Sequence, residues 1–365
     1  MTAIRKLSRR EFLKATGGAG AGLWLAVELP SRAEAAEGAK PGALAPDAYL
    51  RVDPSGAATV FLAKSEMGQG TYTGMAVLVA EELEADWSKV RVVQADADAH
   101  RYGNMITGGS RSVRQLFDPL RRTGATAREM LVAAAARKWG VERGGCRAEK
   151  GEVVHAPSGR RLGYGALVAL AAREPVPRNP PLKDPDQWRL IGKKVPRLDT
   201  PDKTAGRTRF GLDVRVPGMK FAAVARPPVV GGKVTRYDAA RARAVPGVRK
   251  VVEVPSGVAV VADSTWAALQ GRDALNASFD PGPNGKLDSA LLAKLLAEAP
   301  VQRTPARAEG DVEKALAAAP RKLEATYHLP LLAHATMEPM NCVAHVKGGS
   351  AEIWAPTQAP TWAQS

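Results

Sequence analysis

The first regular pattern along the chain is an alternation of apolar and polar positions over residues 50–53, followed by a second, mostly apolar run over residues 58–63. A Pro-Ser-Gly turn at residues 54–56 separates the two runs. Alternation with a period of two residues is typical of strands with one buried face, and the turn predicts a β-hairpin. Residues 90–95 alternate in the same way and predict a further strand.

Apolar residues then recur at helical spacing and predict a helix over residues 73–85. Its apolar face consists of Met75, Leu78, Val79 and Leu83. The acidic residues of this segment fall mostly on the other side, where we expect them to face solvent: Glu81, Glu82 and Glu84.

A second, longer helix is predicted from the pair Asp118-Pro119, an N-cap followed by proline in the first helical position. It continues to about Trp139, and Gly140 is expected to end it. Short strands near residues 147 and 153 and a helix over residues 165–172 complete this part of the chain.

Residues 175–201 are rich in proline and predict an irregular connection. Three strands and a capped helix are expected after it, at residues 221–225, 248–254, 258–262 and 263–274. The last part predicts two helices and a strand, at residues 287–298, 311–319 and 322–329. Helices and strands in this order indicate the α+β class.

Composition limits what such a chain can do. Its 365 residues suffice for two or three domains, and 45% of them are hydrophobic, so a substantial core can form. The net charge of +15 is spread along the sequence, without a basic helix or an aromatic stacking set, which argues against nucleic-acid binding. A basic surface that favours an acidic partner subunit is the preferred interpretation, and an exported protein that binds acidic ligands is an alternative.

The N-terminus carries the pattern of an export signal. Arg9-Arg10 followed by Phe12, Leu13 and Lys14 match a twin-arginine leader. A weakly apolar, glycine-rich stretch at residues 15–29 and a small-x-small site at residues 33–35 follow. Residues 1–35 are therefore predicted to be a signal peptide, too short in its apolar part to anchor the protein in a membrane, and the protein is expected in the periplasm.

Cysteine and histidine usage gives little support for a metal site. Cys146 and Cys342 cannot ligate an iron–sulfur cluster alone; a disulfide is possible, but buried free thiols are expected. His334 and Glu338 have a spacing that could half-ligate zinc on a helix, yet Pro339 disfavours a helix and no third ligand is evident. A hydrogen-bonding pair near a pocket is the preferred interpretation.

Two glycine-containing segments are the strongest candidates for binding. The first, E-M-G-Q-G-T at residues 66–71, lies between a predicted strand and a helix. Gly68 and Gly70 allow a ligand to approach the backbone, Gln69 can donate and accept hydrogen bonds, and the following helix is expected to offer its N–H groups to a phosphate. A tight turn with a surface glutamine is the alternative.

The second segment, T-G-G-S-R-S-V-R at residues 107–114, also precedes a predicted helix. Its glycines and hydroxyl groups suit a phosphate-rich ligand, whereas a flexible surface loop is the alternative. Because two such segments occur in one predicted domain, a shared binding role is favoured over the chance occurrence of two unrelated surface loops.

Taken together, several motifs resemble the molybdenum-binding subunits of the xanthine dehydrogenase/aldehyde oxidase family, particularly the beta subunits of the isoquinoline 1-oxidoreductase type. The resemblance rests on E-M-G-Q-G at 66–70, A-E-E-L at 80–83, G-G-S-R-S at 108–112, G-L-D-V-R-V-P-G-M at 211–219, V-P-G-V-R at 245–249, H-A-T-M-E-P at 334–339 and Thr357-Gln358. It covers nearly the whole chain after the leader.

The resemblance implies a split arrangement of domains. Residues 47–175 would form the N-terminal half of a molybdopterin-binding domain, and residues 176–205 a linker. Residues 206–285 would form an α/β hammerhead domain, and residues 286–365 the start of a first molybdopterin-binding domain.

The same resemblance implies a hydroxylase that oxidises N-heteroaromatics or aldehydes with water-derived oxygen. Its cofactor would be a molybdenum–molybdopterin, in the dinucleotide form, and electrons would pass to [2Fe-2S] clusters on a small iron–sulfur partner subunit and then to an acceptor. Carried over, the dinucleotide would contact Gly68, Gln69 and Gly70. Gly109, Ser110 and Ser112 would hold the pterin or phosphate, and Gln358 would point at a molybdenum oxo ligand.

One departure from the family pattern limits the expected activity. The family's G-G-G-F-G loop and its catalytic glutamate in a G-x-G-E context are absent here, so no catalytic residue is predicted, and Glu338 matches a different position. The chain is interpreted as an N-terminal half that needs a C-terminal half and is inactive alone. A non-catalytic accessory or binding protein built from the same domains is the alternative.

Overall fold

A computed structural model describes residues 23–26, 48–300, 304 and 306–365. The chain divides into two compact units: one ends at Leu212 and also includes Met340–Ser365, and the other is Asp213–Pro339. The predicted signal peptide lies outside the described residues except for Leu23–Ala26. Within the described residues, no helix has the length and apolar character needed to cross a membrane.

The first unit is built on a four-stranded sheet. Its strands are β1 (Leu23–Ala26), β2 (Ala48–Val52), β3 (Ala58–Leu62) and β4 (Val90–Gln94), which lie in this order across the sheet. β2 pairs antiparallel with β1 and with β3, which confirms the predicted hairpin, and β3 pairs parallel with β4. Parallel neighbours need a crossover connection, and helix α1 (Thr71–Leu83) supplies it.

Helix α1 packs against the long helix α3 (Ser112–Trp139), and the short helix α2 (Ala99–Tyr102) lies between them in sequence. Gly124 of α3 permits the close approach, because a Cβ there would lie 2.3 Å from the Val79 carbonyl oxygen. Leu78, Leu83 and Leu131 are fully or almost fully buried in the resulting core. Apolar burial between these helices and the sheet is the main stabilising term of this unit.

The expected start of the long helix is wrong. The helix begins at Ser112, so that Pro119 lies inside it, where it removes one backbone hydrogen bond. Leu116 and Leu120, on either side of the proline, are buried in the core and hold the turn in place. The expected end at Trp139 is confirmed, with Gly140 in the left-handed conformation at φ +64°.

The expectation that the acidic residues of α1 face solvent is wrong for two of them. Glu81 and Glu82 are 1% and 0% exposed. Their carboxylates form ion pairs with Lys183 and with Arg121 and Arg128, respectively. Buried carboxylates are tolerated where cations and N–H groups satisfy them, and the pattern of a single helix does not contain those partners.

The remaining elements of the first unit are short. A three-stranded antiparallel sheet follows α3 and consists, in order, of β5 (Cys146–Glu149), β6 (Glu152–His155) and β7 (Arg161–Gly163). Helices α4 (Val168–Ala171) and α5 (Thr200–Thr204) come next in the chain within this unit.

The described residues of the second unit form five strands. Their bounds are β8 (Phe221–Ala225), β9 (Lys233–Arg236), β10 (Val248–Val254), β11 (Gly257–Ala262) and β12 (Ser278–Asp280). They form a three-stranded antiparallel sheet in the order β10-β11-β8 and a two-stranded sheet β12-β9. Helices α6 (Ala239–Arg243) and α7 (Thr265–Ala274) pack on the larger sheet. Ser264 caps α7 by accepting from the Ala267 N–H at 3.1 Å, as its sequence predicts.

Helices α8 (Ser289–Glu298) and α9 (Val312–Ala318) confirm the two helices expected late in the chain. The strand expected over residues 322–329 is wrong, because this stretch has no regular structure and Leu323 is 95% exposed. A segment with the sequence of a strand forms one only where a partner strand satisfies its backbone hydrogen bonds.

Chain segments that return to the first unit form a hairpin, β13 (Val343–Lys347) with β14 (Ser350–Trp354), and the short helix α10 (Pro360–Gln364). The described residues contain both helices and sheets, the mixed content that the predicted α+β class requires. Cys146 and Cys342 are both free thiols, but Cys342 is exposed, so its expected burial is wrong. His334 and Glu338 lie outside any helix, and no three His, Cys, Asp or Glu side chains of the described residues group as a metal site.

Candidate functional site

The first glycine loop (residues 64–70) leaves the carboxyl end of β3 and enters α1. Gly68 and Gly70 have φ of +99° and +92°, a region that other residues rarely adopt. A Cβ at either position would meet no atom within 4 Å. The backbone conformation rather than crowding therefore requires glycine, and the loop surface above both residues is open.

The Glu66 carboxylate closes this loop from within. Its Oε1 accepts from the N–H groups of Gly68 and Gly70 at 2.7 and 3.1 Å, and its Oε2 accepts from the Tyr72 N–H at 2.8 Å. Two of these three N–H groups, those of Gly70 and Tyr72, belong to the start of α1, and for them the expectation that the helix offers its N–H groups to a phosphate is wrong. A carboxylate two to six residues earlier reaches them first.

Charge and hydrogen bonding keep Glu66 ionised. Burial by itself raises the pKa of Glu66, but the three backbone N–H groups and the Arg197 charge outweigh it, so the pKa lies below its ordinary value. The cap is therefore an anion at neutral pH.

Gln69 is exposed but bonded to its own loop. Its Oε1 accepts from the Met67 N–H at 2.6 Å, and its Nε2 donates to the Ser65 carbonyl at 2.9 Å. Its second amide hydrogen takes no partner among the described residues. The amide therefore shapes the loop and keeps one donor on the open surface.

The second glycine loop (residues 104–111) joins helix α2 to α3. Gly109 and Ser110 are both left-handed, with φ of +61° and +53°. Arg111 is the N-cap of α3, and its side chain makes no capping hydrogen bond. Ser110 is exposed and Ser112 half-buried at this helix start. Unlike α1, the helix α3 begins without a side-chain cap.

The two glycine loops are in direct contact. The Ser65 N–H donates to Thr107 Oγ1 at 2.7 Å, and Lys64 Nζ donates to the carbonyls of Asn104 and Ile106 at 3.2 and 2.8 Å. Lys64 and Thr107 are 5% and 4% exposed, so these bonds are shielded from water. Both loops extend from the same edge of the sheet, where the parallel strands β3 and β4 end.

Lys64 is a buried cation whose partners are carbonyl oxygens. Burial, and secondly the nearby charge of Arg111, lower the pKa of Lys64 from its ordinary value. The lysine and Arg111 place positive potential beneath the second glycine loop.

Gln358 joins the same place from the far end of the chain. The Thr107 N–H donates to the Gln358 carbonyl at 2.8 Å, and Gln358 Nε2 donates to the Thr107 carbonyl at 2.8 Å. Ser65 Oγ donates to the Thr357 carbonyl at 2.8 Å. Three segments separated by up to 292 residues thus meet around Thr107.

The two glycine loops and the returning segment contact one another at Ser65, Thr107 and Gln358. These three segments carry the seven residues singled out from the sequence: Gly68, Gln69, Gly70, Gly109, Ser110, Ser112 and Gln358. Their individual contacts with a ligand remain predictions. The set provides two hydroxyl groups and two amide side chains, whereas the N–H groups of Gly68 and Gly70 are already bonded to Glu66.

Sequence reasoning missed a further group at this site. Arg197 donates to the Gly68 carbonyl from Nη1 at 2.9 Å and to Glu66 Oε1 from Nη2 at 3.2 Å. Its hydrogen bond with Asp199 is the leading reason why the pKa of that carboxyl lies well below its usual range. Arg197 and Asp199 lie in a proline-rich stretch whose composition indicates only an irregular connection. No sequence motif therefore marked either residue as part of the site.

Comparison with known proteins identifies two family matches within the chain. Two families, each described as a molybdopterin cofactor-binding domain, match residues 5–216 and residues 297–365. The first match spans more than half of the chain and contains both glycine loops, and the second contains Gln358.

Three curated relatives extend this likeness. The chain is 34% identical to the beta subunit of isoquinoline 1-oxidoreductase from Brevundimonas diminuta, over 98% of this chain and 52% of that protein. It is 32% identical to a membrane-bound aldehyde dehydrogenase (pyrroloquinoline-quinone) of Gluconacetobacter polyoxogenes, over 98% and 49%. It is 30% identical to a nicotinate dehydrogenase subunit of Pseudomonas putida, over 86% and 27%.

The chain spans about half the length, or less, of these three relatives. The matches confirm the resemblance derived from the loop motifs.

Proposed function

We propose that this chain, which belongs to the molybdopterin cofactor-binding domain family, forms part of the large subunit of a molybdenum hydroxylase and holds the cofactor at its two glycine loops. The observation that carries the proposal is the meeting of both loops and Gln358 around Thr107. The reaction proposed is oxidation of an N-heteroaromatic compound or an aldehyde with oxygen from water.

The residues at this place fit an extended anionic cofactor. The open space above Gly68 and Gly70 lets a flat group approach the backbone. Because Glu66 already fills the start of α1, we assign the phosphate groups to the second glycine loop, where α3 begins uncapped. Lys64 and Arg111 add positive charge on that side.

Within this assignment each predicted residue has a distinct task. Gly68, Gln69 and Gly70 contact the dinucleotide part of the cofactor. Hydroxyls of Ser110 and Ser112, with the Gly109 backbone, hold the pterin or phosphate, and Gln358 directs its amide towards the metal centre. The bound group would supply hydride acceptance and electron transfer, while the chain binds and orients it.

Cofactor analysis of the full chain tests the proposal. After expression in a host that makes molybdenum cofactors, we expect molybdenum and a nucleotide-linked pterin to copurify with the chain. Replacing both Ser110 and Ser112 by alanine should lower the retained pterin, whereas Ser350→Ala at the start of the exposed strand β14 should not. Copurification of pyrroloquinoline quinone without molybdenum would contradict the proposal. Copurification of no cofactor at all would also contradict it and would favour a non-catalytic accessory protein.

We also propose that catalysis requires a carboxylate from outside these 365 residues. The sequence contains no glutamate in the G-x-G-E context, and Glu338 lies on an exposed, irregular segment. Without such a base, a proton on an attacking hydroxyl has no acceptor. Measurable heterocycle hydroxylation by this chain alone would contradict this.

The remaining proposals concern architecture and partners. Residues 206–285 are assigned to the α/β hammerhead domain, which the antiparallel sheet β10-β11-β8 and its two helices support. A C-terminal half and a small subunit with [2Fe-2S] clusters complete the enzyme, and copurification with the product of a neighbouring gene tests that association.

The proposed location is the periplasm, after export through the twin-arginine pathway. Arg9-Arg10 carry this proposal. Cell fractionation should find the chain in the periplasm, and replacing both arginines by lysine should retain it in the cytoplasm. Unchanged export of that variant would contradict the pathway.

A further inference from the structure

A strap of residues 181–199 runs along helix α1 and ends on the first glycine loop. Near the end of α1, Glu81 Oε2 accepts from the N–H groups of Arg189, Leu190 and Ile191 at 2.8, 2.6 and 3.1 Å. Near its start, Thr73 Oγ1 accepts from the Leu198 N–H at 2.9 Å. The strap is thus attached at both ends of the helix.

The attachment near the end of α1 is strong. Glu81 also pairs with Lys183 Nζ, and Glu82 accepts from the Lys183 N–H at 3.1 Å while it pairs with Arg121 and Arg128. Removing one partner of such a buried, charged cluster leaves the others unsatisfied. The strap is therefore held to the first unit by buried ion pairs and hydrogen bonds.

Arg197 is the point at which the strap reaches the loop. Asp199 orients its guanidinium through two bonds, Nε to Oδ1 at 3.0 Å and Nη2 to Oδ2 at 2.8 Å, and Lys203 Nζ donates to the same Oδ2 at 2.7 Å. Two further donors of the guanidinium bond the Gly68 carbonyl and Glu66 Oε1. A planar guanidinium held in this way links two acceptors of one loop in fixed geometry.

We propose that Arg197 is a positioning residue for cofactor binding: it holds the Gly68–Gly70 turn in its binding conformation through Gly68 and Glu66. Glu66 fixes the N–H groups of Gly68 and Gly70, and Arg197 fixes the Gly68 carbonyl, so the turn is held from its inner side and its open side is presented in one shape. Gly68 and Gly70 would otherwise allow the turn many backbone conformations. Because the turn is already ordered before binding, less conformational entropy is lost when a ligand binds. The inference rests on the proposed function for its ligand.

The test compares Arg197→Ala, Arg197→Lys and Asp199→Asn in the full chain. A control is Arg161→Ala, which removes a similarly exposed arginine that pairs with Glu152 in the small sheet β5-β6-β7. Hydrogen exchange of the cofactor-free chain reports the order of the loop, and molybdenum and pterin retained after gel filtration report binding.

We expect Arg197→Ala to speed exchange at the Gly68, Gly70 and Tyr72 amides by about 10-fold and to raise the rate of pterin loss by a similar factor. Arg197→Lys, which keeps the charge but not the fork, should recover part of both effects, and Asp199→Asn should give an intermediate result. In Arg197→Ala, hydrogen exchange over residues 189–191 and the urea midpoint should match those of the Arg161→Ala control. If Arg197 only stabilised the fold in general, both quantities would change as well.

Unchanged exchange in Arg197→Ala and in Asp199→Asn would overturn the positioning role, whatever the cofactor content. Faster exchange in a chain that retains no molybdenum or pterin even when unsubstituted would leave the positioning of the loop standing and reject the proposed function. If Arg197→Ala lowers the urea midpoint strongly, Asp199→Asn, which keeps the guanidinium, decides the matter.

Discussion

The two glycine loops lie at the same edge of the sheet and each enters a helix, yet their helix starts are in opposite states. The first start is filled by Glu66, whose carboxylate accepts from three N–H groups. The second, at Ser112, has no side-chain cap. The same residue types thus build one loop that is satisfied within itself and one that retains donors for an anion.

The largest expected difference between the loops is the loss of stability when a glycine with positive φ is replaced by a residue with a side chain. Gly70→Val places a β-branched residue at φ +92° and should lower the free energy of unfolding by about 3 kcal/mol. Gly109→Asn, at φ +61°, should cost less than about 1 kcal/mol because asparagine adopts this conformation. Urea unfolding of both variants measures the contrast, and equal losses would remove it.

Removal of the internal cap is the next strongest test. Glu66→Ala uncovers three N–H groups and should lower the free energy of unfolding by about 2 kcal/mol. Ser55→Ala, in the exposed turn of the predicted hairpin, is a control for which a much smaller change is expected. A loss no larger than that of the control would show that Glu66 does not hold the first loop.

The cap also predicts a pH dependence. Because the pKa of Glu66 is lower in the folded chain than its ordinary value of 4.5, its stabilisation is present above that value. It is lost as the pH falls through the folded-state pKa. The stability difference between the unsubstituted chain and Glu66→Gln should therefore be largest near neutrality and shrink below pH 4, and a difference that grows on acidification would contradict the assignment.

The contact between the loops is expected to contribute less. Thr107→Val keeps the shape but removes the acceptor for the Ser65 N–H, and should cost about 1.5 kcal/mol because the site is buried. Thr235→Val on the exposed strand β9 is the matched control. If both variants unfold at the same urea concentration, the two loops do not depend on this bond.

The smallest effect would come from making the second loop resemble the first. Arg111→Asp supplies a carboxylate N-cap to α3 and should raise the free energy of unfolding by about 0.5 kcal/mol. In the proposed function the same change should reduce pterin retention, since the added anion occupies the helix start and repels phosphate. Arg111→Gln separates the loss of the arginine charge from the addition of the carboxylate. Greater stability with undiminished retention would place the phosphate elsewhere.

Local features of the fold were predictable where nearby residues decide them. The hairpin before the first loop, the glycine end of α3 and the serine cap of α7 all depend on contacts within a few residues. The start of α3 was wrongly predicted at Pro119, because the local preference of proline for a helix start was outweighed by burial of Leu116 and Leu120. Residues 322–329 were wrongly predicted to form a strand because a local sequence pattern supplies no partner strand.

By itself, the sequence determined which residues can form the loops: glycines where φ must be positive, hydroxyls and amides beside them, and strands and helices on either side. The tertiary structure decided which of these meet. Thr107 bonds Ser65 and Gln358, and Arg197 reaches Gly68, across 42, 251 and 129 positions of the sequence. The burial of Glu81 and Glu82 was decided in the same way. Such contacts depend on packing between distant segments, and no local period or propensity encodes the charge partner that packing brings near.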